Sequence, residues 1–266
     1  MAEAATVSPA YSQSLERGLA ILSAFRSGRP LLGVTELGHE VGLGRSTTHR
    51  YVATLATLGY LQQDAATKKY RLGPRVLDLG FSAINSMELR ELAAPYLRQL
   101  SDETGFTVNM AILDDLDIVY VERCRSSRAG QREIDLNLHV GARLPAYCTS
   151  LGKALLAFEP AESREAAARR IDFAARGPNT IVGPDAFLEE LERVRAQGFA
   201  INNEELAYGL RSIAAPVLDR EGRAAGAVNL AAHSSMVSID ELIARLSAAV
   251  CRTAADVSAH LGYRGA

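Results

Sequence analysis

The sequence predicts an α+β protein in two parts, and three observations carry the prediction. A glycine-turned helix pair with a short basic hairpin lies between Leu32 and Leu72, a tract of helical spacing follows from Pro74, and helices alternate with strands from Glu88 onward. At 266 residues, 48% hydrophobic and 23% charged, the chain is long enough for two domains with separate cores.

The first helix is expected over Ser14 to Phe25, where Leu15, Leu19, Leu22 and Phe25 fall at helical spacing and Ser14, Glu16 and Arg17 supply the first turn. A second begins at Val34-Thr35, with Thr35 as N-cap and Leu37 and Val41 turned inward. Gly42-Leu43-Gly44 stops it, because two glycines offer the positive φ and close backbone approach of a short inter-helix turn. A third helix then starts at Gly44 or Arg45. On a 3.6-residue wheel Thr48, Tyr51, Val52, Leu55 and Leu58 share one side, while Ser46, His49, Arg50, Ala53, Thr54 and Thr57 share the other. No acidic residue occurs from Gly42 through Gln63. An ordinary solvated face mixes Glu with Lys and Arg, whereas a small polar face with a cation near its start suits phosphates and base edges. Arg45, Ser46, Thr47, His49, Arg50 and Thr54 are therefore candidate contacts to double-stranded DNA.

Two short strands follow, Tyr60 to Gln63 and Lys69 to Leu72. Tyr70 and Leu72 are expected to close over the helix, leaving Lys68, Lys69 and Arg71 near the hairpin tip for the phosphate backbone. This is the plan of a winged helix-turn-helix. Residues Met1 to Arg75 hold 9 Lys and Arg against 5 Asp and Glu, so a head of +4 precedes a body of −6. Electrostatics favours nucleic acid at one end only.

From Pro74, Val76, Leu77, Phe81 and Ile84 mark a connecting helix. Its apolar side is covered either by the same helix of a second copy, which matches the two-fold geometry of helix-turn-helix operators, or by the chain's own second domain. Glu88 to Thr104 reads as a helix that Pro95 must kink or restart. Strands Phe106 to Leu113 and Ile118 to Arg123 flank Asp114-Asp115-Leu116-Asp117; turn chemistry explains these carboxylates better than a metal or acid/base role. A strand is expected around Ile134 to Leu138. After it a capped helix begins at Thr149 or Ser150, whose first N–H groups, at Leu151, Gly152 and Lys153, make a natural seat for a carboxylate. Gly152-Lys153 is not a phosphate loop, since Tyr147 stands where that motif needs glycine. Helices near Glu162 to Ile171 and Asp185 to Gln197, strands near Phe199 to Ile201, Ser212 to Leu218 and Ala224 to Ala231, and a final helix from Ser238 to about Leu261 complete a mixed sheet. This second part has the make-up of a sensor domain.

The separated motifs Gln13-Ser14-Leu15-Glu16-Arg17, the winged unit, Leu144-Pro145 with Gly152-Lys153-Ala154, and Asn203-Glu204-Glu205 followed by Tyr208 to Ala214 resemble the IclR family of bacterial transcription regulators over nearly the whole chain. The run Arg143 to Leu156 looks like the branch governing catabolism of aromatic acids such as protocatechuate or 4-hydroxybenzoate. The resemblance implies residues 1–12 as a flexible N-terminus, 13–73 as a winged helix-turn-helix, 74–87 as a linker helix and 88–266 as a GAF-like effector-binding domain, assembled as a dimer or dimer of dimers. By position it places an effector pocket at Leu144, Ser150, Leu151, Asn202, Ser212, Asn229 and Ala231. Asn202 and Ala231 stand where keto-acid-binding members carry an acidic residue and a serine, which implies a less polar pocket. Tyr147 joins as an aromatic wall and Thr149 as the cap of the anion-accepting helix.

The expected function is a ligand-responsive transcription factor that takes a small organic acid as effector and needs no cofactor or metal. The competing reading is an enzyme acting on small acids through Cys148 or Ser150, for which no histidine lies at a motif-defining distance. Cys124, Cys148 and Cys251 are odd in number and widely spaced, which argues against a disulfide framework. His139 and His233 are isolated. With no cationic start before an apolar run and no 18-residue apolar stretch, neither a signal peptide nor a membrane span is expected, and the cytoplasm is the expected location.

Overall fold

A computed structural model describes residues 11–26, 28–85, 88–125 and 138–265. The chain divides into two compact units, Met1–Ala83 and Ile84–Ala266.

In the first unit α1 (Gln13–Ser23), α2 (Val34–Glu40) and α3 (Arg45–Thr57) pack around Ile21, Leu32, Leu37, Val52 and Leu61, and the hairpin β1 (Leu61–Gln63) and β2 (Tyr70–Leu72) closes the cluster with Tyr70. Three local expectations change. Helix α1 begins at Gln13, one residue before the expected Ser14, because Ser12 caps it by accepting from the Leu15 N–H at 3.3 Å. Gly33, not Thr35, caps α2: Gly33 is extended, and the Glu36 carboxylate reaches back to accept its N–H at 2.6 Å, which places Thr35 inside the first turn. Of the two turn glycines only Gly42 is left-handed, with φ of 66°, while Gly44 is the extended N-cap of α3. The turn is nevertheless tight, since a Cβ on Gly38 would stand 2.8 Å from the Leu43 carbonyl oxygen. Leu58 and Leu72, expected inside, are exposed at 48% and 39%; Thr48 and Val52 carry the α3 contact instead.

Helix α4 (Arg75–Asn85) follows, with Leu77 and Leu79 exposed. In the second unit α5 (Glu88–Thr104) runs unbroken through Pro95. Pro95 and Glu91 are both exposed, so the carbonyl that loses its helical partner faces water. The strands β3 (Thr107–Asp114), β4 (Asp117–Cys124), β5 (Arg143–Pro145), β6 (Ala200–Asn203), β7 (Leu210–Leu218) and β8 (Ala224–His233) form one sheet in the order β5-β4-β3-β8-β7-β6. Every pairing is antiparallel, so the sheet is not mixed; β3 and β4, and β7 and β8, are hairpins that fix this direction. The strand expected around Ile134 to Leu138 lies, apart from Leu138, outside the described residues.

Alternate strand residues feed two cores. One face carries Val108, Met110, Val121, Ile213 and Val228 against α5 and α9 (Ile239–His260). The other carries Ala111, Ile118, Tyr120, Ala214 and Ala227 against α6 (Ser150–Ala157) and α8 (Pro184–Gln197), with α7 (Ala161–Arg170) packed beside α8. All eight residues of α6 are buried. Removal of Leu151, Leu155 and Leu156 from water contributes roughly 1.5–3 kcal/mol each. A 3-10 turn, Ala146–Cys148, precedes α6 and was not foreseen. Gly152 permits it to lie against the helix: a Cβ there would stand 2.2 Å from the Ala146 oxygen. Gly152→Ala should therefore lower the urea-unfolding stability of the full chain by about 1–3 kcal/mol. Wild-type stability in that variant would contradict the contact.

Candidate functional site

The first site is the outward face of α3. Because Thr48 and Val52 turn inward, Thr48 with its hydroxyl donating to the Gly44 oxygen at 3.0 Å, the opposite side is left to solvent. Ser46, Thr47, His49, Arg50 and Thr54 line one shallow concavity of about 580 Å³ with Ala53, Thr57 and Leu58. Arg45 is exposed at the head of the same helix. The structure thus gathers all six candidates of this helix on its exposed side or first turn.

The wing is less generous than its sequence. Lys68 is exposed at the hairpin tip in a left-handed conformation, φ 58°, with its backbone tied to Asp64, whose carboxylate also accepts from the Thr67 N–H and hydroxyl at 2.7 Å. Lys69 instead turns back and pairs with Glu36 at 3.1 Å, and Arg71 donates to Gln62. The Gly33 N–H and then Lys69 hold the Glu36 carboxyl below its ordinary pKa.

The second site is the α6-facing side of the sheet. Thr149 caps α6, accepting from the Gly152 N–H at 3.0 Å. The helix start is thus engaged by its own cap and the preceding turn, a more closed arrangement than an open seat for an anion. Cross-strand register puts Asn202, Ser212 and Ala231 in one row on this side, with Asn229 in the adjoining row. The Ser150 and Ser212 hydroxyls meet at 2.7 Å, and the Asn202 amide donates to the Cys148 oxygen at 3.0 Å while accepting from the Glu205 N–H at 3.0 Å. Asn229 accepts from the Asn109 amide at 2.8 Å. Leu151 and Tyr147 are buried, Leu144 and Ala231 half-buried. Tyr147 packs edge-on to Phe173, and its hydroxyl donates to the Ala174 oxygen at 2.6 Å.

The reactive side chains singled out from sequence are engaged in the fold. The Cys148 thiol is buried against the Pro145 oxygen, and burial pushes its pKa up to about 11. The three aspartates of the β3–β4 turn are held by arginines, Asp114 and Asp117 by Arg143 and Asp115 by Arg170. Among the described residues no cluster of His, Cys, Asp and Glu is arranged to hold a metal, and no helix is long and apolar enough to cross a membrane.

Residues 14–65 match the IclR helix-turn-helix domain, and residues 81–259 match the family described as bacterial transcriptional regulator IclR C-terminal. The chain belongs to the IclR family. It is 38% identical over 240 residues to the Pca regulon regulatory protein of Pseudomonas putida, covering 90% of this chain and 81% of that one. To the p-hydroxybenzoate hydroxylase transcriptional activator of Acinetobacter baylyi it is 33% identical over 234 residues, covering 88% and 86%. An IclR homolog from Microbacterium hydrocarbonoxydans, solved in complex with 4-hydroxybenzoate, shares its fold with a TM-score of 0.79 at 22% identity over 94% of this chain and 99% of that one. This IclR protein is a DNA-binding transcription regulator of the branch with aromatic-acid relatives.

Sequence reading missed the most buried charge among the described residues of this IclR protein. Lys153, 1% exposed, projects from α6 and donates to Glu190 of α8 at 2.9 Å and to Glu205, after β6, at 2.6 Å; Glu190 also pairs with Arg193. The signal was present in the motif residues Lys153 and Glu205, 52 positions apart, but their pairing is a product of the fold. Burial raises the Glu205 pKa despite Lys153, and its Oε2 has no hydrogen-bond partner among the described residues. Lys153→Met should cost about 3–5 kcal/mol in unfolding, because it strands a buried carboxylate. With its pKa raised, Glu205 then binds a proton in the folded state that the unfolded chain does not, so the variant's deficit should shrink as pH falls from neutral toward the ordinary carboxylate pKa. A deficit that grows on acidification would contradict the assignment.

Proposed function

We propose that this regulator grips operator DNA with α3 in the major groove and the wing on the backbone, and that an aromatic carboxylate in the α6-facing pocket alters promoter binding or activation. The observation that carries the DNA half is the outward face of α3, where Arg45, Ser46, Thr47, His49, Arg50 and Thr54 present polar groups and two cations with no carboxylate among them. Lys68 supplies the wing's phosphate contact, and Lys69 adds to it by leaving Glu36. The pocket is assigned to Leu144, Tyr147, Thr149, Ser150, Leu151, Asn202, Ser212, Asn229 and Ala231, half apolar and half hydroxyl or amide, as an aromatic ring with polar substituents requires. The names of the relatives from Pseudomonas putida and Acinetobacter baylyi and the 4-hydroxybenzoate held by the Microbacterium homolog support an aromatic acid.

The domains are read as residues 13–73 for DNA, 74–87 as linker and 88–266 for the effector. The protein works as a homodimer or dimer of dimers in the cytoplasm, with the apolar faces of α1 and α4 as the surfaces that meet a second copy: Leu15, Leu19, Leu77 and Leu79 are all more than half exposed. Ligand-dependent change in the dimer's arrangement then sets whether two recognition helices match two half-sites. The enzyme reading is set aside, because Cys148 is a protonated buried thiol and Ser150 faces another serine rather than a base.

Arg50→Ala should weaken operator binding by about 1–3 kcal/mol and flatten its salt dependence in an equilibrium titration; unchanged affinity would refute the recognition-helix assignment. An aromatic acid at 100 times its dissociation constant should stabilise the full chain by roughly 2.7 kcal/mol. No stabilisation by any aromatic acid, or turnover of one, would overturn the effector half.

A further inference from the structure

We propose that the Tyr120 hydroxyl is a further effector-binding group, the donor that an oxygen of the bound acid meets on β4. The inference rests on the effector reading above and goes beyond it by adding a residue that neither the motifs nor the family resemblance placed in the pocket. Two tyrosines are buried in the second unit, Tyr120 at 4% exposure and Tyr147 at 3%. A buried phenol ordinarily finds a hydrogen-bond partner, because a hydroxyl left unpaired away from water costs free energy. Tyr147 follows this rule by donating to the Ala174 oxygen. Tyr120 does not: its backbone is paired on both sides, yet its hydroxyl makes no hydrogen bond among the described residues.

The strand register gives this hydroxyl its place. Along β3 and β4 the pairing jumps from Met110 opposite Glu122 to Ala111 opposite Tyr120, which leaves Val121 as an extra residue. Val121 enters the core against α5 and α9, Tyr120 enters the α6-facing core, and past the bulge Arg123 stands opposite Asn109. Across the sheet on the side of Tyr120 come Ala111 and then Ala227, so the floor beside the ring is made of methyl groups. Toward the other edge the Tyr120 N–H donates to the Ala142 oxygen at 3.0 Å, and its carbonyl oxygen accepts from the Gly141 N–H at 2.7 Å. That segment runs into β5, where Leu144 lies opposite Ile118, which precedes Tyr120 on the same face by two residues, about 7 Å. Leu144 leads through Pro145 and the 3-10 turn into Thr149, Ser150 and Leu151. Tyr120 thus stands between the sheet and the chain that opens α6, next to a residue assigned to the pocket.

A tyrosine suits this place chemically. Burial pushes its pKa up to about 12 against the opposing pull of Arg123, so the hydroxyl keeps its proton at neutral pH, where an aromatic acid is a carboxylate. Such a neutral donor meets an anion through a charge-assisted hydrogen bond and brings no charge of its own into an apolar wall.

Tyr120→Phe removes the hydroxyl and keeps the ring, so two readouts separate a ligand contact from a structural one. In isothermal titrations of the full chain with 4-hydroxybenzoate and protocatechuate, the variant should bind whichever acid wild type binds about 10- to 100-fold more weakly, the size of a hydrogen bond to a charged acceptor. Its melting temperature without ligand should equal or exceed that of wild type, because no bond within the protein is broken. A smaller loss of affinity, a lower melting temperature without ligand, or a variant that does not fold overturns the proposal alone. Wild type that binds neither these nor any other aromatic acid overturns it together with the effector reading.

Discussion

The effector unit is built around a cation that cannot leave. Lys153 sits in a helix buried on all sides, and its ammonium is held between carboxylates from two other elements, α8 and the segment after β6. Moving such a charge into a protein interior costs several kcal/mol, and only close pairing offsets it. The pairing therefore fixes where α6 lies relative to α8 and to the end of β6, and the proposed pocket inherits that geometry. Ser150 and Leu151 begin the same helix, and Asn202 is bonded to the backbone of Glu205. A change at the pocket cannot shift Asn202 without pulling on the residue that neutralises Lys153, which is a physical route from a bound acid to the packing of α6 and α8.

The DNA unit follows a different economy. Its core is small, and its function lies in what is kept out of that core. Thr48 is the only polar α3 side chain turned fully inward among the described residues, and its hydroxyl is satisfied by the Gly44 oxygen. Ser46, His49 and Arg50 are exposed, while the Thr54 hydroxyl donates to the Arg50 oxygen at 2.9 Å. Glu36 couples two neighbouring elements by capping α2 and holding Lys69, so the wing's second lysine acts in the protein's own structure before it meets any phosphate.

Much of this was legible in the chain. Periodicity and glycine placement gave the helix pair and its free face, because a recognition helix depends on spacing within a dozen residues. The β3–β4 hairpin was legible for the same reason, whereas the all-antiparallel pairing of the larger sheet was not. Long-range arrangements were not. The Lys153 triad joins positions 153, 190 and 205, and nothing local distinguishes its members from surface charges. The cap of α2 was misplaced because Thr35 competes with an extended glycine, Gly33, and a back-reaching glutamate, Glu36, three residues on. The face that Arg123 serves was not legible at the end of its expected strand, since a one-residue bulge leaves no mark in sequence yet reverses which face a strand residue serves.

The central claim is that the α6-facing side of the sheet receives an aromatic acid. A crystal structure of the full chain grown with 4-hydroxybenzoate tests it most directly. The account predicts the ring lodged between the start of α6 and strands β7 and β8. An acid seated on the α5 and α9 side of the sheet, with the α6 side holding only solvent, would contradict it.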